Sequence, residues 1–155
     1  MKRNFIFALI LLATFSMINA VRFYKRETKF GPCPLIYDPK IVQLNATFNP
    51  DPIVVGQNLD ITISGKLNVD IPENSPNIII EVVFLDPEYV TTVVSVVTEF
   101  CKSKDINCPV KARTEFSTVL TDNISSGFGK GTTIVSDVYD RSSGFLGCAL
   151  SDPIS

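Results

Sequence analysis

Between Leu59 and Ile71 the chain alternates without a break. Leu59, Ile61, Ile63, Gly65, Leu67, Val69 and Ile71 occupy one parity, and Asp60, Thr62, Ser64, Lys66, Asn68 and Asp70 the other. Successive side chains of a strand point to opposite faces, so this run predicts a long strand or hairpin arm with one dry and one wet face. Gly65 inside it predicts a bend or bulge, and the prolines at Pro72 and Pro76 end it.

The same period recurs along the chain. Val42, Leu44, Ala46 and Phe48 share one face and Gln43, Asn45 and Thr47 the other, before the turn Asn49-Pro50-Asp51-Pro52 and Gly56. Ile78 to Leu85 is apolar on both faces apart from Glu81, the pattern of a central strand. Tyr89 to Phe100, rich in valine and threonine, Thr114 to Leu120, Thr132 to Tyr139 and Phe145 to Leu150 complete the set. The only helical element expected is about one turn around Lys102 to Asn107. Six to seven strands separated by turn residues, with no repeat and no linker, predict an all-β sandwich of two antiparallel sheets or a barrel.

The first 20 residues stand outside that domain. Lys2 and Arg3 precede an apolar run from Phe5 to Ile18, and Ala20 offers a small residue for cleavage, the layout of a secretory signal peptide over residues 1–20. The run is shorter than the roughly 20 residues a membrane span needs. Residues 21–30 carry the basic stretch Arg22 to Lys29, read either as a solvated tail or as a propeptide cut after Lys25-Arg26. Residues 31–155 form the domain, expected to be secreted or lumenal (extracellular, vacuolar or lysosomal) and monomeric.

Export gives the four cysteines their meaning. Cys33, Cys101, Cys108 and Cys148 read as two disulfides, with three pairings possible. The short polar spacer Lys102 to Asn107 brings Cys101 to Cys108 and leaves Cys33 to join Cys148 across the domain. Asn45-Ala-Thr47 and Asn123-Ile-Ser125 are glycosylation acceptors in the same compartment, Asn45 on the wet parity of its strand.

Much chemistry is excluded. The chain has no histidine, and 14 Lys and Arg stand against 16 Asp and Glu, so neither an imidazole base nor a phosphate-neutralising surface is expected. No Cys-x-x-Cys pair suggests a metal. Gly127 to Thr133 has the wrong spacing for a phosphate loop, since Gly131 stands where a hydroxyl is required. Asp137 and Asp140, near a strand end, are expected to be solvent-exposed rather than a hydrolytic pair. The sequence predicts no enzyme, no cofactor, no metal and no nucleic-acid partner.

The order of cysteines and their neighbours carries a resemblance. Cys33-Pro34 is followed by Phe48-Asn-Pro50-Asp-Pro52, then Val55-Gly56-Gln-Asn-Leu59-Asp-Ile61-Thr-Ile63-Ser64-Gly65. Later come Glu99-Phe100-Cys101, a six-residue spacer and Cys108-Pro109-Val110-Lys111, and finally Gly147-Cys148. This order resembles the ML lipid-recognition domain family over about residues 31–150. It is most similar to the branch of phosphatidylglycerol/phosphatidylinositol transfer proteins, and more distantly to the Niemann–Pick sterol carrier. The missing third disulfide, the short segment after Cys148 and the lack of tryptophan favour the phospholipid branch.

The resemblance implies an immunoglobulin-like sandwich with a lipid cavity between its sheets, and the same pairs, Cys33–Cys148 and Cys101–Cys108. It implies a carrier of phospholipid or sterol between membranes, making transient membrane contact; the alternative is an extracellular recognition module of the same fold without transfer activity. The inward apolar set then becomes the candidate lipid lining: Phe48, Leu59, Ile61, Ile63, Val82, Phe84, Val94, Val96, Phe100, Val110, Phe116, Ile134 and Val138. Val110 owes its place to the family pattern alone. Lys111, Arg113 and Lys130 are the candidates to meet an anionic headgroup at the mouth.

Overall fold

The computed structural model describes residues 27–33, 40–88, 92–124 and 129–154, without the side chains of Val93 and Val94. The expected signal peptide over residues 1–20, residues 21–26 with their dibasic pair, and Ser125 of the second acceptor site lie outside the described residues.

Nine strands are described: β1 Phe30–Gly31, β2 Val42–Gln43, β3 Asn45–Asn49, β4 Asn58–Lys66, β5 Ile78–Leu85, β6 Thr92–Glu99, β7 Glu115–Asn123, β8 Thr133–Asp140 and β9 Gly144–Ser151. The larger sheet runs β1-β9-β8-β5-β6, with β2 also on β9, and the smaller runs β3-β4-β7. All pairings are antiparallel except the two-residue β2, which lies parallel to β9. The two sheets face each other across one apolar cluster, the sandwich that the alternation predicts.

The segment expected as one strand over Ile41 to Phe48 is divided between both sheets. β2 pairs with β9 of the larger sheet and β3 with β4 of the smaller. Leu44 is the crossing residue, with its amide donating to the Cys148 carbonyl at 3.0 Å and its side chain buried.

Leu44 also explains Gly65. The β4 ladder to β7 runs through Gly65 without a shift, so there is no bulge at that position. A Cβ on Gly65 would stand 2.7 Å from Leu44 Cδ2, and one on Gly147 would stand 2.9 Å from the same atom. A side chain at either position would have to displace Leu44, which is wedged between the sheets there.

β4 ends at Lys66 rather than continuing to Ile71. The alternation persists because Leu67 and Ile71 stay buried against a different partner. Arg113 donates its amide to the Leu67 carbonyl at 2.7 Å, and Ile71 exchanges two backbone hydrogen bonds with Val110 at 2.8 and 2.9 Å. Among the described residues, helical geometry is confined to one 3-10 turn, Phe100–Lys102, at the start of the connection where it was expected.

Both predicted disulfides are formed. Cys33–Cys148 joins residues 115 apart and Cys101–Cys108 residues 7 apart, with Cα separations of 6.0 and 5.6 Å.

Candidate functional site

The space between the sheets is lined by alternate residues of each strand. Phe48 of β3, Leu59, Ile61 and Ile63 of β4, and Phe116 of β7 face Val82 and Phe84 of β5 and Ile134 and Val138 of β8 in one buried cluster. Ile61, Ile63, Val82, Phe84, Ile134 and Val138 are all 0% exposed, so this interior is closed to water. Val96 packs half-buried against it from β6. Val94 pairs with Phe84 along the ladder, and its side chain lies outside the described residues. The sequence set omits Leu44, Ala46, Ile80, Leu120, Ile124 and Ala149, which belong to the same cluster.

The two ends of the sandwich differ, and β5 provides their names. At the Ile78 end, the β6–β7 connection folds over the opening. Phe100 meets Phe116 edge-on at 5.1 Å, and Thr118 Oγ1 donates to the Lys104 carbonyl at 2.6 Å. The Cys101–Cys108 disulfide closes this connection on itself. Val110 packs here, paired with Ile71, so it caps the end and does not stand between the strands. Asp70 accepts from the Ala112 amide at 2.8 Å and from Lys111 Nζ at 3.0 Å, and these bonds hold its carboxyl below the usual carboxylate range. A depression of about 310 Å³ outside this end has a mixed wall, polar at Asp70, Asn74 and Asp140 and apolar at Val69, Ile78 and Leu146.

At the Leu85 end, Phe48 stacks on Phe84 with ring centroids 6.5 Å apart, and Phe30 meets Phe48 edge-on at 5.3 Å. The β3–β4 loop stands over these rings, held by Thr28, whose amide and hydroxyl donate to Asp51 at 2.7 and 3.0 Å. The Gly56 amide donates to the Ile124 carbonyl at 2.9 Å. This loop presents Val54 and Val55, 41% and 46% exposed, an apolar tip at the sandwich end that carries no disulfide. Lys130 lies at this end, in the turn before β8, while Lys111 and Arg113 lie at the other. The three candidate headgroup cations therefore form no common patch.

Of the three buried polar side chains of β8, Thr133, Ser136 and Asp137, the last two leave an atom without a hydrogen-bond partner. Ser136 lies between Ile134 and Val138 on the inward parity, 0% exposed, and its Oγ has no hydrogen-bond partner. Asp137 faces outward, yet it is only 3% exposed and its Oδ1 is also unpartnered. Its cross-strand neighbours are Glu81 of β5 and Cys148 of β9. Burial, and then the negative charge of Glu81, push its carboxyl up to about 7.

The expectation that Asp137 is solvent-exposed is thus corrected. Its neighbour Cys148 is bonded to Cys33, which brings a second chain segment onto this outer face. Asp140 is half-buried in the β8–β9 turn, where it accepts from the Ser142 amide at 2.9 Å and from the Ser142 and Ser143 hydroxyls at 2.7 and 2.8 Å. These bonds lower its pKa. Strand parity is the signal that finds Ser136: once Ile134 and Val138 face inward, the residue between them must do so too.

A two-sheet all-β sandwich with a dry apolar interior, one end strapped by a disulfide-closed connection and the other bearing an apolar tip, is the class that this geometry defines. Residues 27–152 match the ML domain, and the chain belongs to the ML-domain family. Among solved structures, chicken MD-1 complexed with lipid IVa is similar over 81% of this chain and 87% of its own, with 18% identity and a TM-score of 0.52. A Niemann-Pick type C2 protein from Japanese carpenter ant is similar over 86% of this chain and 96% of its own, with 14% identity and a TM-score of 0.44. The likeness to MD-1 is one of fold. No protein of curated function matches the sequence.

Proposed function

We propose that this protein is an exported lipid carrier that holds the apolar part of a phospholipid or sterol between its two sheets and moves it between membranes. The observation that carries this reading is the continuous apolar lining contributed by both sheets, in a chain of the ML-domain family. Chicken MD-1, which shares the fold, is complexed with lipid IVa, and that supports a lipid as the class of ligand.

The energetics suit carriage without catalysis. Burying a methylene is worth about 0.8 kcal/mol, so a 16-carbon tail costs on the order of 12 kcal/mol to expose to water. A dry interior removes most of that cost. Val54 and Val55 form an apolar tip at the Leu85 end, which we assign as the mouth and as the membrane-facing surface. The opposite end is strapped by the Cys101–Cys108 connection and the Lys111–Asp70 pair. The lining assigned to lipid is Phe48, Leu59, Ile61, Ile63, Val82, Phe84, Val94, Val96, Phe116, Ile134 and Val138, with Phe100 and Val110 forming the floor at the Ile78 end.

Two disulfides and the exposed Asn45 and Asn123 suit a secreted or lumenal glycoprotein. Native mass spectrometry of protein purified from its host, with transfer of labelled phosphatidylinositol and sterol between vesicles, tests the reading. A bound lipid mass and accelerated transfer are expected. A ligand-free protein that moves neither lipid overturns it.

A further inference from the structure

Among the described residues, the interior of this sandwich contains one polar atom with nothing to bond. Every other buried hydroxyl among them has a partner. Thr118 donates to the Lys104 carbonyl at 2.6 Å, Ser103 to the Glu99 carbonyl at 3.0 Å and Thr132 to the Gly129 carbonyl at 2.8 Å. Ser151 Oγ accepts from the Ile134 amide at 2.8 Å, and Thr133 is also engaged. Ser136 Oγ alone is left over. Buried polar groups in folded proteins are almost always paired, so an orphan hydroxyl in a central strand needs a reason.

Its surroundings supply one. Along the larger sheet, Ser136 is flanked by Val82 on β5 and Ala149 on β9, and Gly147 shares the parity of Ala149 on β9. The smaller sheet lies across this row at a known position. Leu44 sits against Gly147, whose row contains Val138 and Ile80. Phe48 sits against Phe84, whose row contains Ile134. Ala46, midway between Leu44 and Phe48, therefore faces the intermediate row, which is Ala149–Ser136–Val82. Ala46, Ser136 and Ala149 are all small, and Ile63 and Val82 continue the two facing rows. The orphan hydroxyl thus lies in an apolar row with small neighbours on the β9 side.

Water does not suit this place. A buried water needs two to four polar partners, and the backbone groups around Ser136 are committed to the β5–β8–β9 ladders. A charged headgroup does not suit it either, because one hydroxyl cannot replace the hydration of an ion. A largely apolar molecule with a single neutral oxygen does.

Resting on the lipid-carrier reading above, we infer that the Ser136 hydroxyl is the buried polar contact of the ligand, hydrogen-bonded to an uncharged lipid oxygen held between the sheets while any charged headgroup remains outside. The oxygen is a sterol hydroxyl or an acyl-ester carbonyl, and both can pair with a serine.

Partition of radiolabelled lipids from phosphatidylcholine vesicles onto the full chain tests this with two matched pairs. The first is cholesterol against its analogue lacking the hydroxyl. The second is diacyl phosphatidylglycerol against its dialkyl ether analogue, which lacks the carbonyl. The wild type should prefer the oxygenated member of one pair by about fivefold to tenfold, the effect of one buried neutral hydrogen bond. Ser136→Ala should remove that preference without lowering the unfolding midpoint, since no protein partner is lost, and Ser136→Thr should restore it.

Dependence on Ser136 in the sterol pair identifies a hydroxyl, and dependence in the glycerolipid pair identifies an ester carbonyl. Equal binding within both pairs, or a preference that survives Ser136→Ala, overturns the inference and leaves lipid carriage standing. A wild type that takes up none of the four lipids overturns both.

Discussion

Replacing Asp137 by asparagine keeps the side-chain shape and removes a charge that the fold holds in a costly place. Asp137 is 3% exposed on the outer face of the larger sheet, opposite Glu81 and beside the disulfide-bonded Cys148. Its carboxyl is raised from 3.8 to about 7, first by burial and then by Glu81. In the unfolded chain the same group titrates near its ordinary value. Below about pH 4 both states are protonated and the group leaves stability unchanged. Between about pH 4 and 7 the unfolded chain releases its proton while the folded chain keeps it, so stability falls as pH rises. Above pH 7 the full penalty is present, on the order of 4 kcal/mol for a shift of about three units.

The asparagine variant carries no such penalty. Urea unfolding of the wild type and Asp137→Asn from pH 4 to pH 8 should therefore show curves that meet at the acid end and diverge toward pH 8, with the variant more stable there by about 3–4 kcal/mol. Glu81→Gln should flatten the wild-type dependence by a smaller amount, because burial is the larger cause. Parallel curves for wild type and Asp137→Asn would refute the reasoning, since the carboxyl would then titrate alike in both states.

Three further outcomes follow from the same structure. Gly147→Ala places a methyl 2.9 Å from Leu44 Cδ2 and 3.1 Å from Val42 Cγ2, and should cost about 1–3 kcal/mol in urea unfolding. In a Leu44→Ala background, itself destabilised, Gly147→Ala should cost less than it does alone, a non-additivity expected of side chains in contact. Converting Cys33 and Cys148 to serine should cost about 4–5 kcal/mol, and the Cys101/Cys108 pair about 2–3 kcal/mol, as loop closures of such different lengths require; equal losses measured by denaturation would contradict this. Val54→Asp with Val55→Asp should slow transfer between vesicles several-fold and leave the unfolding midpoint within about 2 °C, because both side chains are exposed.

The strands were legible because burial on one face writes itself into the sequence at every second position. Leu59, Ile61 and Ile63, and likewise Ile134 and Val138, fall inside as their parity requires. What parity cannot record is the identity of the partner. Val42 to Phe48 keeps one alternation while its pairing passes from β9 to β4, and Leu67 and Ile71 keep theirs after the ladder has ended. Asp137 was misread for a related reason: its parity points outward, but a disulfide between residues far apart in sequence brings a second segment to that face. The same parity accounts for the burial of Phe48, Val82, Phe84 and Phe116, whereas Phe100 lies in the 3-10 turn and Val110 over the Ile78 end. Ser136 was legible in principle and hidden by its polarity.

The crossing at Leu44 has a mechanical meaning. A segment hydrogen-bonded into both sheets acts as a spine, setting the gap between the covers where it passes. Among the described residues, β6 and β7 on the far edge are brought together by the connection at the Ile78 end, where Phe100 meets Phe116. Girth added between the covers would be taken up away from the Leu44 spine, along that far edge.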